Sequence, residues 1–323
     1  MSMSGVIKNF PGQFSYKPEI QNKERLAKRP WHIVVGMGGS HLAADLLKVW
    51  NPRLPLFIHK NYGLPKVPDE ILNNSLIIAS SYSGNTEETL DAYEEAKKKD
   101  IPLAVLSIGG KLLKRAEKDG APYIQMPDTG IQPRSALGFN IKALLALMGE
   151  ENALEEISTL ARTLQPDELE QNGKELAKNL YGFIPIIYAS ERNESIAYNW
   201  KIKFNETSKI PAFYNVFPEL NHNEMTGFDI KPKTSKLSKN FFFILLSDEA
   251  DHPKIQKRMA VLKKLYQARD LPVAEIKLSG RDVFHKIFSS LILADWATYY
   301  TAEGYGVEPE AIPMVEEFKR LVA

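Results

Sequence analysis

The chain has 323 residues, enough for one large or two medium domains, and its 44% hydrophobic and 25% charged side chains are ordinary for a globular enzyme. A net charge of +1 gives no electrostatic reason to expect nucleic acid or an anionic membrane as partner, and the absence of cysteine removes disulfides, thiolate nucleophiles and thiolate metal sites. No run approaches the ~20 apolar residues of a membrane span, and the first residues lack the apolar core of a signal peptide, so a cytoplasmic location is expected.

In chain order, Ile33-Val34-Val35 is the first buried, β-branched strand signal. It runs into Gly36-Met37-Gly38-Gly39-Ser40, behind which Leu42, Leu46 and Trp50 mark one face of a helix. Leu56-Phe57-Ile58 predicts a second strand and Leu76-Ile77-Ile78-Ala79 a third. The third enters Ser80-Ser81-Tyr82-Ser83-Gly84-Asn85-Thr86, and Glu87-Glu88 then opens a long amphipathic helix. Further strands are predicted at Leu103–Leu106 and Tyr123–Gln125, with Pro133-Arg134-Ser135-Ala136 beyond the last. From Ile141 to Leu180 the pattern is helical. Strand signals resume at Ile184–Ile187, Phe213–Val216, Phe241–Leu246 and Val273–Lys277, repeating the βαβ rhythm of the first half without visible sequence identity. The lysine-rich stretch Lys231–Lys239 reads as a solvated loop. The expected architecture is α/β: two doubly wound parallel-sheet domains, 1–150 and 151–323, with right-handed crossovers and a helical C-terminus.

The first loop departs from a dinucleotide-binding fingerprint in two places. His41 stands where the third glycine belongs, and Phe57-Ile58-His59-Lys60 ends the second strand without an acidic residue for a ribose. A glycine-rich turn can also serve only to admit a tight strand-to-helix entry. The serine loop carries more information: one hydroxyl suffices to cap a helix, and Thr86 is placed to do so, but three hydroxyls surround Gly84. Backbone N–H groups at helix starts, beside Ser and Thr hydroxyls, suit a phosphate dianion. Neither loop holds lysine or arginine, so dipoles and hydrogen bonds would do the binding, which suits a sugar phosphate that must leave again better than a nucleotide.

Arg134 lies beyond a strand's carboxyl end, where open α/β sheets bind ligands; a surface arginine is the plain alternative. Glu206 falls in a helical pattern, where a solvated glutamate is the plain alternative. His222 stands in the polar run Glu219-Leu220-Asn221-His222-Asn223-Glu224. His222 and Glu224 are spaced for metal, but no third ligand is in view; histidine with carboxylates also fits acid–base work near neutral pH.

Gly36–Ser40, the serine loop, Pro133–Ala136, Pro218–Glu224 and Pro313-Met314-Val315-Glu316-Glu317-Phe318-Lys319 together resemble the bifunctional phosphoglucose/phosphomannose isomerases, which have two sugar isomerase (SIS) domains per chain. The resemblance spans nearly the whole length and keeps the motif order. It implies that Gly38, Gly39 and Ser40 lie beside the substrate and that Ser81, Ser83 and Thr86 bind its phosphate. It further implies that Arg134 faces a developing enediolate, Glu206 is the general base, His222 helps open the sugar ring and Lys319 is the C-terminal lysine of the site. The implied reaction interconverts glucose 6-phosphate, and mannose 6-phosphate, with fructose 6-phosphate, using no metal and no cofactor. The implied assembly is a homodimer in which His222 enters the neighbouring subunit's site. Two positions depart from the family pattern: Thr207 stands where Asn often follows the base, and Ile312 where some bifunctional members carry a threonine linked to mannose 6-phosphate. The rival readings are a sugar-phosphate-sensing regulator, an amidotransferase-type isomerase and a pentose or heptose phosphate isomerase. The first usually carries a DNA-binding domain, the second needs a cysteine that is absent, and the third is commonly a single SIS domain.

Overall fold

Runs such as Ser75–Ser80, buried at every position, can pair on both edges and be covered on both faces, which is the environment of an inner parallel strand. Two such sheets form in the computed structural model, which describes residues 2–322. They belong to two compact units. The opening helix α1 (Met3–Lys8) is part of the second unit, where Lys8 Nζ lies 3.1 Å from Glu170 and 3.5 Å from Asp167.

The first unit spans Asn9–Leu164. Its chain runs β1 (Trp31–Val35), α2 (Gly39–Trp50), β2 (Leu56–His59), α3 (Asp69–Asn73), β3 (Ser75–Ser80), α4 (Glu87–Lys98), β4 (Leu103–Ser107), α5 (Gly110–Asp119) and β5 (Tyr123–Gln125). All pairings are parallel, in the order β2-β1-β3-β4-β5. The strand order reverses at β1, so β1 and β3 flank the switch point at which doubly wound sheets hold ligands. Ile33, Val35 and Ile77 pack there against Ala92 and Ala96 of α4.

Three helices complete this unit: α6 (Leu137–Met148), α7 (Glu151–Ser158) and α8 (Leu160–Thr163). The boundary expected at 150 therefore falls at Leu164. The cause is packing: Ala153, Ile157, Leu160 and Leu164 are buried, and the buried Lys142 of α6 donates to Ser158 Oγ at 2.8 Å and Phe14 O at 2.5 Å. Burial lowers the Lys142 pKa.

The second unit continues with α9 (Pro166–Leu180), β6 (Ile184–Ser190), α10 (Glu194–Glu206), β7 (Phe213–Phe217), α11 (Glu224–Gly227), α12 (Ser235–Ser238) and β8 (Phe241–Asp248). It ends with α13 (Pro253–Gln267), β9 (Val273–Leu278), α14 (Val283–Tyr305) and α15 (Pro313–Val322). The sheet is again parallel, in the order β7-β6-β8-β9. Its core is aromatic, with Phe228 and Phe243 edge-on at 4.8 Å and Tyr188, Phe217 and Tyr266 around them. Trp296 of α14 is buried, and its indole N–H reaches Pro166 O at 2.8 Å. The stretch expected as a loop at Lys231–Lys239 is mostly exposed but contains the single turn α12. Among the described residues no helix is long and apolar enough to cross a membrane.

A buried ion pair sits at the carboxyl end of β8, where Lys286 Nζ lies 2.6 Å from Asp248 Oδ2. Burial alone would raise the Asp248 carboxyl; the Lys286 hydrogen bond, helped by Ala250 N–H and Asn193, outweighs it and holds the carboxyl below 3.8. A depressed folded pKa adds stability above the unfolded value, and that stability is lost as pH falls through the folded value. Lys286→Met strands a buried carboxylate and should cost about 3–5 kcal/mol at pH 7. Because burial is then opposed only by the weaker Ala250 and Asn193 hydrogen bonds, acidification to pH 5 should recover part of this loss. Denaturant unfolding at both pH values measures it; equal stability of variant and parent at pH 7 would mean that Lys286 does not compensate the buried carboxylate.

Candidate active site

The parallel pairing of β1 with β3 sets Val35 beside Ala79, so the two loops that follow start at the same level. They are then bonded to each other. Ser40 Oγ accepts the Tyr82 N–H at 2.9 Å, and Ser80 Oγ donates to Ser40 O at 3.0 Å. Gly39 is required by a close approach: an added Cβ would fall 2.7 Å from Pro133 C and 2.9 Å from Arg134 N. That contact brings the Arg134 turn against the first loop. Arg134 itself is buried, only 3% exposed. Gln13 holds this turn, donating to Ser135 O at 2.7 Å and accepting the Gly138 N–H at 2.9 Å.

The serine loop is fixed by its own side chains. Ser81 is fully buried, and its hydroxyl lies 2.8 Å from Thr86 Oγ1. Thr86 occupies the N-cap position of α4 but makes no side-chain cap bond, so its hydroxyl serves the loop and not the helix end. Gly84, at φ +69°, presses on the next loop; an added Cβ would fall 1.8 Å from Gly109 O. Ser83 is exposed, and its Oγ accepts the Asn85 N–H at 3.3 Å. Gly38, Gly39, Ser40, Ser81, Ser83, Thr86 and Arg134 thus gather at one end of the first unit's sheet, where helix-start amides and hydroxyls can receive a phosphate. His41 needs no glycine in its place, because its side chain is buried 2.6 Å from Asp45 Oδ2 on the same helix.

In the second unit, Glu206 is the last residue of α10 and is half-buried. That helix is clamped to α14 by the buried Lys203–Asp295 pair at 2.5 Å and by Trp200 Nε1 donating to Ser290 Oγ at 3.0 Å. Lys209 donates to Glu206 O at 2.5 Å and to Pro309 O at 3.4 Å, which ties the segment leading to α15 to the end of α10. Lys319 lies on α15, exposed and 3.2 Å from Glu316. Met314, Val315, Phe318 and Leu321 form an exposed apolar stripe on the same helix. His222 is exposed and follows the carboxyl end of β7, whereas Glu206 precedes its amino end. Five residues of strand, roughly 16 Å of extended chain, lie between the two in sequence. The fold therefore sets Glu206 and His222 at opposite ends of β7.

Lys209 and Gln13 carry no sequence signal, since each works through the backbone of a segment remote from any motif, and Tyr82, inside the serine loop, acts through its own N–H. Glu224 had a visible signal, its place two residues beyond His222, but its partners are tertiary: Tyr188 Oη donates to Oε1 at 2.5 Å and Asn215 Nδ2 donates to Oε2. Both carboxylate oxygens are so engaged, and among the described residues no three His, Asp or Glu side chains gather as metal ligands.

Residues 169–322 match the family model described as the bacterial phospho-glucose isomerase C-terminal SIS domain. The chain is 33% identical over 320 residues to the bifunctional phosphoglucose/phosphomannose isomerase of Aquifex aeolicus, covering 97% of this chain and 96% of that one. To the protein of the same name from Caldicellulosiruptor bescii it is 35% identical over 308 residues, covering 90% and 89%. The fold is similar to the C-terminal domain of glucosamine-fructose-6-phosphate aminotransferase from Francisella tularensis, with TM-score 0.68, 15% identity and coverage of 96% and 98%.

Ser40→Ala removes the acceptor of a loop N–H, and an unsatisfied buried donor costs about 1–3 kcal/mol. The expected outcome is lower thermal stability together with weaker binding of inorganic phosphate, read by calorimetry. Unchanged phosphate binding would separate the first loop from the second.

Proposed function

The chain belongs to the bifunctional phosphoglucose/phosphomannose isomerase family, and from that premise we propose that it interconverts glucose 6-phosphate, with mannose 6-phosphate as second aldose, and fructose 6-phosphate. The observation that carries this reading is the hydroxyl-and-amide cradle of the first unit with Arg134 buried against it. Ser81, Ser83 and Thr86, with Gly38, Gly39 and Ser40 beside them, take the phosphate. Grip on this remote group supplies binding energy that positions the reacting carbons.

The reaction moves a proton between C1 and C2 through a cis-enediol. A C–H proton is weakly acidic, so a carboxylate base needs charge stabilisation at the neighbouring oxygens. Glu206 moves the proton and Arg134 stabilises the enediolate. A cyclic substrate must first open, which takes an acid at the ring oxygen and a base at the C1 hydroxyl; His222 and Lys319 supply them. The separation of Glu206 from His222 along β7 supports a homodimer in which each His222 serves the partner's site. A cytoplasmic enzyme needing no cofactor is part of the same reading.

Glu206→Gln should lower kcat about 10²–10⁴-fold while sugar-phosphate binding persists; near-parental turnover would remove Glu206 from the base role. Subunit exchange tests the dimer. Glu206→Gln and His222→Ala proteins, each slow alone, should recover activity when refolded together, since one site of each mixed dimer then has both groups. No recovery from demonstrated mixed dimers would place His222 in its own chain's site. Ile312 is half-buried, and its carbonyl accepts the Val315 and Glu316 N–H groups at the start of α15. Ile312→Thr should raise the ratio of mannose 6-phosphate to glucose 6-phosphate formed from fructose 6-phosphate; an unchanged ratio would free this position of any part in substrate breadth.

A further inference from the structure

We infer that Glu224 is a positioning residue whose carboxylate, bridging two adjacent strands, fixes the loop that presents His222. The inference rests on the reading of His222 as the ring-opening group. Tyr188 and Asn215 are register partners across β6 and β7, so their side chains leave the same face of the sheet. Glu224 spans that pair, accepting from the Tyr188 hydroxyl at 2.5 Å through one oxygen and from Asn215 Nδ2 through the other. Tyr188 is fully buried. Burial, with Tyr266 and Glu224 nearby, raises its pKa, so the phenol keeps the proton that it donates.

The opposite flank of His222 is anchored by apolar contact: Leu220 is completely buried in the cluster that also holds Tyr188 and Phe217. Between the anchors the loop satisfies itself. Asn223 Oδ1 accepts the Glu224 N–H at 2.5 Å, Asn223 Nδ2 donates to Glu219 Oε1 at 2.9 Å, and the His222 N–H donates to Glu219 O at 2.9 Å. Glu219, Leu220, Asn223 and Glu224 are thereby committed, while His222 itself stays exposed. An imidazole that must reach into another subunit's site gains from such fixing, because misplacement by about 1 Å can cost 10²-fold in rate.

Carboxylate chemistry is specific here. Two acceptor oxygens meet two donors, so an amide can keep only one bond without a rearrangement, and alanine keeps none. The test uses Glu224→Ala, Glu224→Gln, His222→Ala and the His222→Ala/Glu224→Ala pair in the full-length protein. Kinetics with glucose 6-phosphate report the cyclic substrate. The affinity for 5-phospho-D-arabinonate, an acyclic stand-in for the enediolate, reports the remainder of the site. We expect Glu224→Ala to lower kcat up to about 100-fold with the affinity for the acyclic acid unchanged, and Glu224→Gln to fall between it and the parent. The double variant should be no slower than His222→Ala alone, as a residue acting through another must be.

Parental turnover in Glu224→Ala, beside a slow His222→Ala, overturns this inference and leaves the ring-opening reading standing. Parental turnover in His222→Ala overturns the reading on which the inference rests. Multiplied losses in the double variant would show Glu224 acting apart from His222, and loss of the acyclic acid's affinity in Glu224→Gln would make its role general to the fold; either overturns positioning.

Discussion

Parallel pairing of β1 with β3 is the constraint from which the first unit's chemistry hangs. Antiparallel strands would send their following loops to opposite ends of the sheet; parallel ones send both to the same end. With Val35 beside Ala79, the glycine loop and the serine loop leave the sheet together, and a single serine hydroxyl is then enough to lock them to one another. The buried arginine joins them only because a glycine lets its backbone come within contact distance. None of these groups forms the cradle alone. The cradle is a property of the register.

The second unit repeats the sheet and fills the equivalent places with different chemistry. β8 ends on Asp248 and Glu249-Ala250-Asp251 follow it, where the first unit has its serine loop at the end of β3. Asp248 is held by Lys286, and burial raises Asp251, whose Oδ1 accepts from Ser190 at 2.7 Å. Carboxylates in that position repel a phosphate dianion. One architecture, used twice, thus sets hydroxyls and amides at the sheet end in one unit and carboxylates in the other.

The strands were legible because each is a short apolar run bounded by turn residues, and all nine predicted runs fall on the strands of the two sheets. The boundary was not, because the helical pattern from Ile141 to Leu180 runs across it without a break, and it is packing, such as the buried Lys142 reaching Ser158, that assigns α7 to the first unit. At the candidate site the motifs could be seen, but not the division of work inside them. Thr86 reads as a helix cap and bonds Ser81 instead. Glu224 reads as one polar residue among several, since Tyr188 and Asn215 lie on strands whose pairing no local pattern announces. Local periodicity reports which side chains are covered; it is silent on which distant polar group covers them.

The opening helix α1 belongs to the second unit, although the first unit lies between them in sequence. During synthesis Met3, Val6 and Ile7 are therefore made long before α9 and α14, the helices that α1 packs on. The first unit is inserted within the second, and its own end segments, Phe10–Ser15 and α8, lie against each other, as an inserted domain requires. It can finish folding on the ribosome while α1 waits with its apolar side uncovered. Losing α1 would then weaken not the sheet next in sequence but the one whose unit carries Glu206, an effect at long range along the chain and at short range in space.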